Sequence, residues 1–175
     1  MLTVQRGAID SFLSLDNVAG RFLDEHGDPA AQRGVGVHSS GSAELSGVTI
    51  AGMFEGCAVT VSATASLADC TVSDSTFDCV AVRGSSAAQL DNCTLTCDPG
   101  DCVRVRNEGS RVTATSCHLR GGRSGAVTAD GGELTAHACA SYGGCFGYDI
   151  IGGLMELLNV QVTMLAWASA FQAGI

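Results

Sequence analysis

The chain has no lysine, two prolines, a single tryptophan and few aromatic residues, 5% in all. Each shortage removes something. Without lysine, nine arginines face eighteen acidic residues and the net charge is −9. Nucleic acid and anionic lipid both need clustered cations, so neither is an expected partner. With few aromatic rings, the 46% of apolar residues must build a core from Val, Ala, Leu and Cys. No long unbroken apolar run occurs either. The most apolar stretch starts at Ile150 but is interrupted by Glu156, Asn159 and Gln161, whereas a spanning helix needs about 20 mainly apolar residues. The first residues, MLTVQRGAIDSFLSL, lack the basic region, apolar stretch and small-residue cleavage site of a secretory signal. Nine cysteines is an odd number. Both features favour an intracellular chain whose thiols serve as small buried hydrophobes.

What is present is repetition. The segments Leu45–Ile50 (LSGVTI), Leu67–Val72 (LADCTV), Leu90–Leu95 (LDNCTL), Ala114–Leu119 (ATSCHL) and Ala136–Ser141 (AHACAS) align, with a sixth copy after Leu157. Their shared column is Val48, Cys70, Cys93, Cys117, Cys139 and Val160, at spacings of 22, 23, 24, 22 and 21 residues. An apolar-x-apolar pair precedes each: Val35-x-Val37, Val59-x-Val61, Val80-x-Val82, Val103-x-Val105, Val127-x-Ala129 and Tyr148-x-Ile150. Alternation with period two is the signature of a strand with one buried face. Gly, Ser, Asp and Asn fill the intervals and predict turns. A unit of about 22 residues with two or three short strands cannot bury its inner face alone, so the units must stack in register.

This pattern resembles the right-handed parallel β-helix, the fold shared by pectate lyases, polygalacturonases, phage tailspikes and several scaffold proteins. The resemblance covers about residues 33–163 and implies about six coils. A β-sandwich is the alternative architecture; a left-handed β-helix, with its 18-residue coil, fits the spacings less well. Residues 1–32 are then a capping segment, in which Ile9, Phe12, Leu13, Leu15, Val18, Phe22 and Leu23 predict an amphipathic helix over residues 8–25. Residues 164–175 form a C-terminal cap or tail.

The Cys column predicts a structural interior corner, because Val replaces Cys at both ends of it. Cys97 and Cys102 flank a turn in which a disulfide is conceivable. A zinc site from Cys117, His118, His137 and Cys139 fails on direction, since neighbours in a strand point to opposite faces. No metal or cofactor is expected. Asn92-Cys93-Thr94 is a formal glycosylation sequon, read as lying inside a strand and so not modified. Charge offers one surface: after the first strand of each unit the sequence reads His38, Ser62, Arg83, Arg106, Asp130 and Ile151, with Arg104 and Asp149 on the same outward face. Asp130 and Asp149 are read as its only carboxylates. In carbohydrate-active relatives, such a face binds acidic sugars. Glycoside hydrolysis by inversion, however, needs two carboxylates about 6.5–9.5 Å apart, and no convincing pair can be placed. The expected function is therefore a non-catalytic scaffold that meets protein partners, or other copies of itself, through a solenoid end or a flat sheet face. The alternative is binding or cleavage of an acidic polysaccharide through Arg83, Arg104, Arg106, Asp130 and Asp149.

Overall fold

A computed structural model describes residues 12–16, 19–21, 33–38, 41–51 and 55–163. Its strands follow one another in threes. The first turn comprises β1 (Phe12–Asp16), β2 (Ala19–Arg21) and β3 (Arg33–His38). The second comprises β4 (Ser42–Ser46), β5 (Thr49–Ala51) and β6 (Glu55–Thr60), and the third β7 (Thr64–Ala68), β8 (Thr71–Ser75) and β9 (Asp78–Arg83). The fourth holds β10 (Ala87–Asp91), β11 (Thr94–Cys97) and β12 (Asp101–Arg106). The fifth holds β13 (Arg111–Thr115), β14 (His118–Gly121) and β15 (Ser124–Ala129). The sixth holds β16 (Glu133–His137), β17 (Ala140–Tyr142) and β18 (Phe146–Ile151). A partial last turn adds β19 (Leu154–Leu158) and β20 (Gln161–Thr163). Every third strand pairs in parallel, giving two sheets of seven strands and one of six. The chain is thus an all-β solenoid of about six turns.

Like residues stack because the register is strict. Leu45, Leu67, Leu90, Ala114 and Ala136 are consecutive partners in the first sheet, and all are buried. Ile50, Val72, Leu95 and Leu119 do the same in the second sheet, and Val37, Val59, Val82 and Val105 in the third. Full burial of each such side chain contributes about 1.5–3 kcal/mol. One or two small or branched side chains per sheet per turn fill a bore this narrow, which is why rings are dispensable.

The Cys column lines up through the interior. The amides of Thr71, Thr94, His118, Ala140 and Gln161 donate to the carbonyls of Val48, Cys70, Cys93, Cys117 and Cys139 at 2.8–2.9 Å. These residues are not inside strands, however. Each follows a left-handed residue, namely Gly47, Asp69, Asn92, Ser116, Ala138 or Asn159, with φ of 50–61°. The motif is therefore a two-residue corner between two short strands. The sequon lies there too: Asn92 is exposed and its amide donates to Asp69 Oδ1 at 2.7 Å. Inside the corner, Cys93 Sγ donates to the carbonyls of Leu67 and Asp91, both at 3.4 Å. Hydrogen bonds from Cys117 and Cys70 draw the Cys93 thiol down and burial pushes it up. Its surroundings are thiols and carbonyls, and we assign the column as neutral packing. Cys93→Val should accordingly cost no more than about 1.5 kcal/mol in urea unfolding, because Val48 already fills the equivalent corner; a loss several times larger would show that the sulfur matters.

Three readings of the sequence need correction. Where a helix is expected over residues 8–25, β1 and β2 are strands, with Leu13 opposite Ala43 and Leu15 opposite Leu45. Apolar residues at spacings of two and three fit either period, and pairing with an existing sheet decides for strand. The rest of that stretch and residues 164–175 lie outside the described residues. Two alternating pairs are also out of register. The inward residues are Cys57 and Val59 in the second turn and Ala126 and Thr128 in the fifth, so Val61 is exposed at φ 62°. Finally, the turn between Cys97, the last residue of β11, and Cys102, the second residue of β12, holds no disulfide. Cys97 and Cys102 are free buried thiols, bonded instead to the carbonyls of Ser75, Phe77 and Leu95.

Candidate functional site

The outward face of the third sheet carries the charge, in three columns. The first residues of β6, β9, β12, β15 and β18 give Glu55, Asp78, Asp101, Ser124 and Phe146. The next column is Ala58, Ala81, Arg104, Val127 and Asp149. The third is Thr60, Arg83, Arg106, Ala129 and Ile151, with His38 opposite Thr60 by backbone register. Ser62 and Asp130 therefore do not belong to the third column. The apolar alternation points to them because it is out of register in these two turns, and a shift of one or two residues moves a side chain along or across a sheet. Asp130 is an exposed turn residue after β15, at φ 52°. Asp149 sits two rungs from Arg104 with Val127 between them. Arg106 is exposed and stacks beside Arg83.

Five charged groups do come together, three of them unanticipated. Arg83 Nη2 donates to both oxygens of Glu55, at 2.9 and 2.8 Å. Arg104 donates through Nε to Asp78 Oδ1 at 3.0 Å and through Nη2 to Asp101 Oδ2. The Phe77 ring lies 4.8 Å from the Arg104 guanidinium carbon and helps to desolvate it. Apart from the half-buried Arg83, the group is sealed: Asp78 and Asp101 are 0% exposed, Glu55 3% and Arg104 7%. Asp78 Oδ2, Asp101 Oδ1 and the Ser124 hydroxyl have no hydrogen-bond partner among the described residues. Burial pushes the Asp78 carboxyl up to about 6; Arg104 opposes this, and the charges of Asp101 and Glu55 reinforce it.

In the sequence these carboxylates read as turn residues, since Glu55 precedes Gly56, Asp101 follows Pro99-Gly100, and Asp78 closely follows the polar run Ser73-Asp74-Ser75-Thr76. Their signal was nonetheless present: Glu55, Asp78 and Asp101 recur every 23 residues, each two residues ahead of a buried Cys or Val. Elsewhere, Cys117 and Cys139 are buried while His118 and His137 are exposed, and His118 stacks on Tyr142 with ring centroids 6.4 Å apart. Among the described residues no group of three or more His, Cys, Asp or Glu side chains is arranged to hold a metal ion, and no helix is long and apolar enough to cross a membrane.

A family model described as the right handed beta helix region matches residues 30–155, more than half of the chain. No curated protein and no solved structure matches it.

Proposed function

Because the chain belongs to the right-handed β-helix family, which is defined by an architecture and not by one reaction, we propose that it is a non-catalytic scaffold that assembles through its C-terminal turn. One observation carries this reading: the last described turn leaves its large apolar residues open. Ile150, Leu157 and Val162 continue the three interior columns, yet they are 57%, 43% and 47% exposed. Phe146, Ile151, Leu154 and Leu158 surround them and are exposed as well. In addition, among the described residues β18, β19 and β20 are edge strands, each paired on one side only, and such edges template further pairing.

The occupant we assign is a second copy of this chain, with the two end turns face to face. A section of the same outline, presenting the same apolar columns, complements this end in shape. An isologous contact needs only one such patch per chain. From β18 to β20 the surface holds Asp149 and Glu156 but no Arg or His, so a dimer has few charges to desolvate at its centre. The charged face also favours a scaffold over the alternative, binding or cleavage of an acidic polysaccharide. Three of its carboxylates and Arg104 are closed to a chain of sugars, and Arg106, Asp130 and Asp149 do not converge.

Light scattering coupled to size exclusion tests the assignment. The full chain is expected to elute as a dimer, and Leu157→Asp as a monomer with the circular dichroism of the parent. A parent that stays monomeric across micromolar concentrations overturns the second copy as occupant. If it becomes oligomeric only after removal of residues 164–175, those residues occupy the end themselves.

A further inference from the structure

We propose that the Glu55, Asp78 and Asp101 column is a proton-operated lock on turns two to four, closed when Asp78 takes a proton from solvent onto Oδ2 and loosened when it gives that proton back. The geometry carries this. Three carboxylates on consecutive rungs, about 4.8 Å apart along the sheet, face two guanidiniums. Arg83 is committed to Glu55, so among the described residues Arg104 alone faces both Asp78 and Asp101. One cation cannot neutralise two buried carboxylates. Moreover, the oxygens turned away from Arg104, Asp78 Oδ2 and Asp101 Oδ1, both lack a donor among the described residues. A proton on Asp78 balances the charge and supplies a donor where two acceptors have none.

The groups around Asp78 are accounted for element by element. β6 brings Glu55, held by Arg83 of β9 itself. β12 brings Asp101 and Arg104, and β11 brings the Cys97 thiol, which the Asp78 charge helps to push up after Cys79 and burial. Asp74 on β8 is exposed. By backbone register, Arg33 of β3 is opposite Glu55, one rung beyond. Arg104 is the only cation bonded to Asp78 among the described residues.

The sign follows from the direction of the shift. The folded carboxyl, at about 6, lies above its ordinary value of 3.8, so between these values the folded state holds a proton that the unfolded chain has released. Stability from this group is greatest at the acid end of the window and is lost as pH rises through about 6. The test is thermal unfolding of the full chain and of Asp78→Asn from about pH 4 to pH 8. Asn keeps an acceptor for Arg104 and offers its amide protons to Asp101. Both proteins share every histidine and every exposed acid, so their difference isolates this site.

The wild type should lose on the order of 5–10 °C more than Asp78→Asn between the two ends of the range, and its Asp78 carboxyl carbon should titrate by NMR near pH 6. Curves that keep a constant offset throughout, or an Asp78 midpoint below about 4.5, overturn the lock. If calcium chloride raises, or EDTA lowers, the midpoint temperature of the wild type at pH 8 but not that of Asp78→Asn, the column holds a cation and the proton assignment fails. Should Asp78→Asn not fold, the NMR titration of the wild type decides alone.

Discussion

Replacing Arg104 by Ala should be among the most damaging single changes in this chain, at about 3–5 kcal/mol near pH 7.5. That is the range for removing one partner of a buried ion pair and leaving its counter-charge uncompensated. Here two counter-charges are left: Asp78 and Asp101 are both fully buried and both rely on the same guanidinium. The loss also strips the Phe77 ring of the cation it covers. Two comparisons give the prediction a shape. At pH 5 the penalty should shrink, because a carboxyl already pushed up to about 6 takes a proton instead of standing charged. Arg106→Ala, one residue pair along the same strand but exposed, should stay within about 0.5 kcal/mol of the parent. Urea unfolding of the three proteins at both pH values reads all of this. Equal losses for Arg104→Ala and Arg106→Ala would mean that the buried network holds nothing together.

Leu90→Ala is the second large effect, expected at about 3–5 kcal/mol in the same assay. Leu90 is 0% exposed and lies between Leu67 and Ala114 in the first interior column. Its neighbours are pinned by strand pairing above and below, so the walls cannot collapse into the space left behind. The comparison is Ala114→Leu one rung away, which adds volume to the same column. If interior packing is as tight as the register suggests, it should also destabilise, by about 1–3 kcal/mol. A Leu90→Ala loss under about 1 kcal/mol would contradict a close-packed bore.

The sequence made this interior legible because its information is written twice, once as alternation and once as recurrence. Val80, Val82, Val103 and Val105 satisfy both and are placed correctly. Where only alternation was available, as at Val59-x-Val61 and Val127-x-Ala129, the phase came out wrong. Alternation is weak in both strands: Val61 extends the apolar pattern of β6 past its end, and β15 turns the polar Thr128 inward and the apolar Val127 outward. The N-terminal strands were obscured for a related reason: Phe12, Leu13 and Leu15 suit a helix or a strand until a neighbouring sheet is supplied. The buried charges were hardest to see. Acidic residues at the ends of short strands look solvated, and nothing in composition distinguishes Asp78, enclosed beside Arg104, from Asp91, which is exposed. Only the third dimension shows which carboxylates share a rung with an arginine.

The corners between the first and second strand of each turn have one further consequence. From the second turn onward exactly two residues separate those strands every time, whereas the other two connections hold two, three or four. The variation in repeat length is therefore confined to strand lengths and to those looser bends. A guest peptide grafted at Asn107–Gly109 would bulge outward and leave the winding intact. The same graft at Asn92 would turn every downstream side chain away from its intended partner, so the molecule has fixed hinges on one side and room for growth on the others.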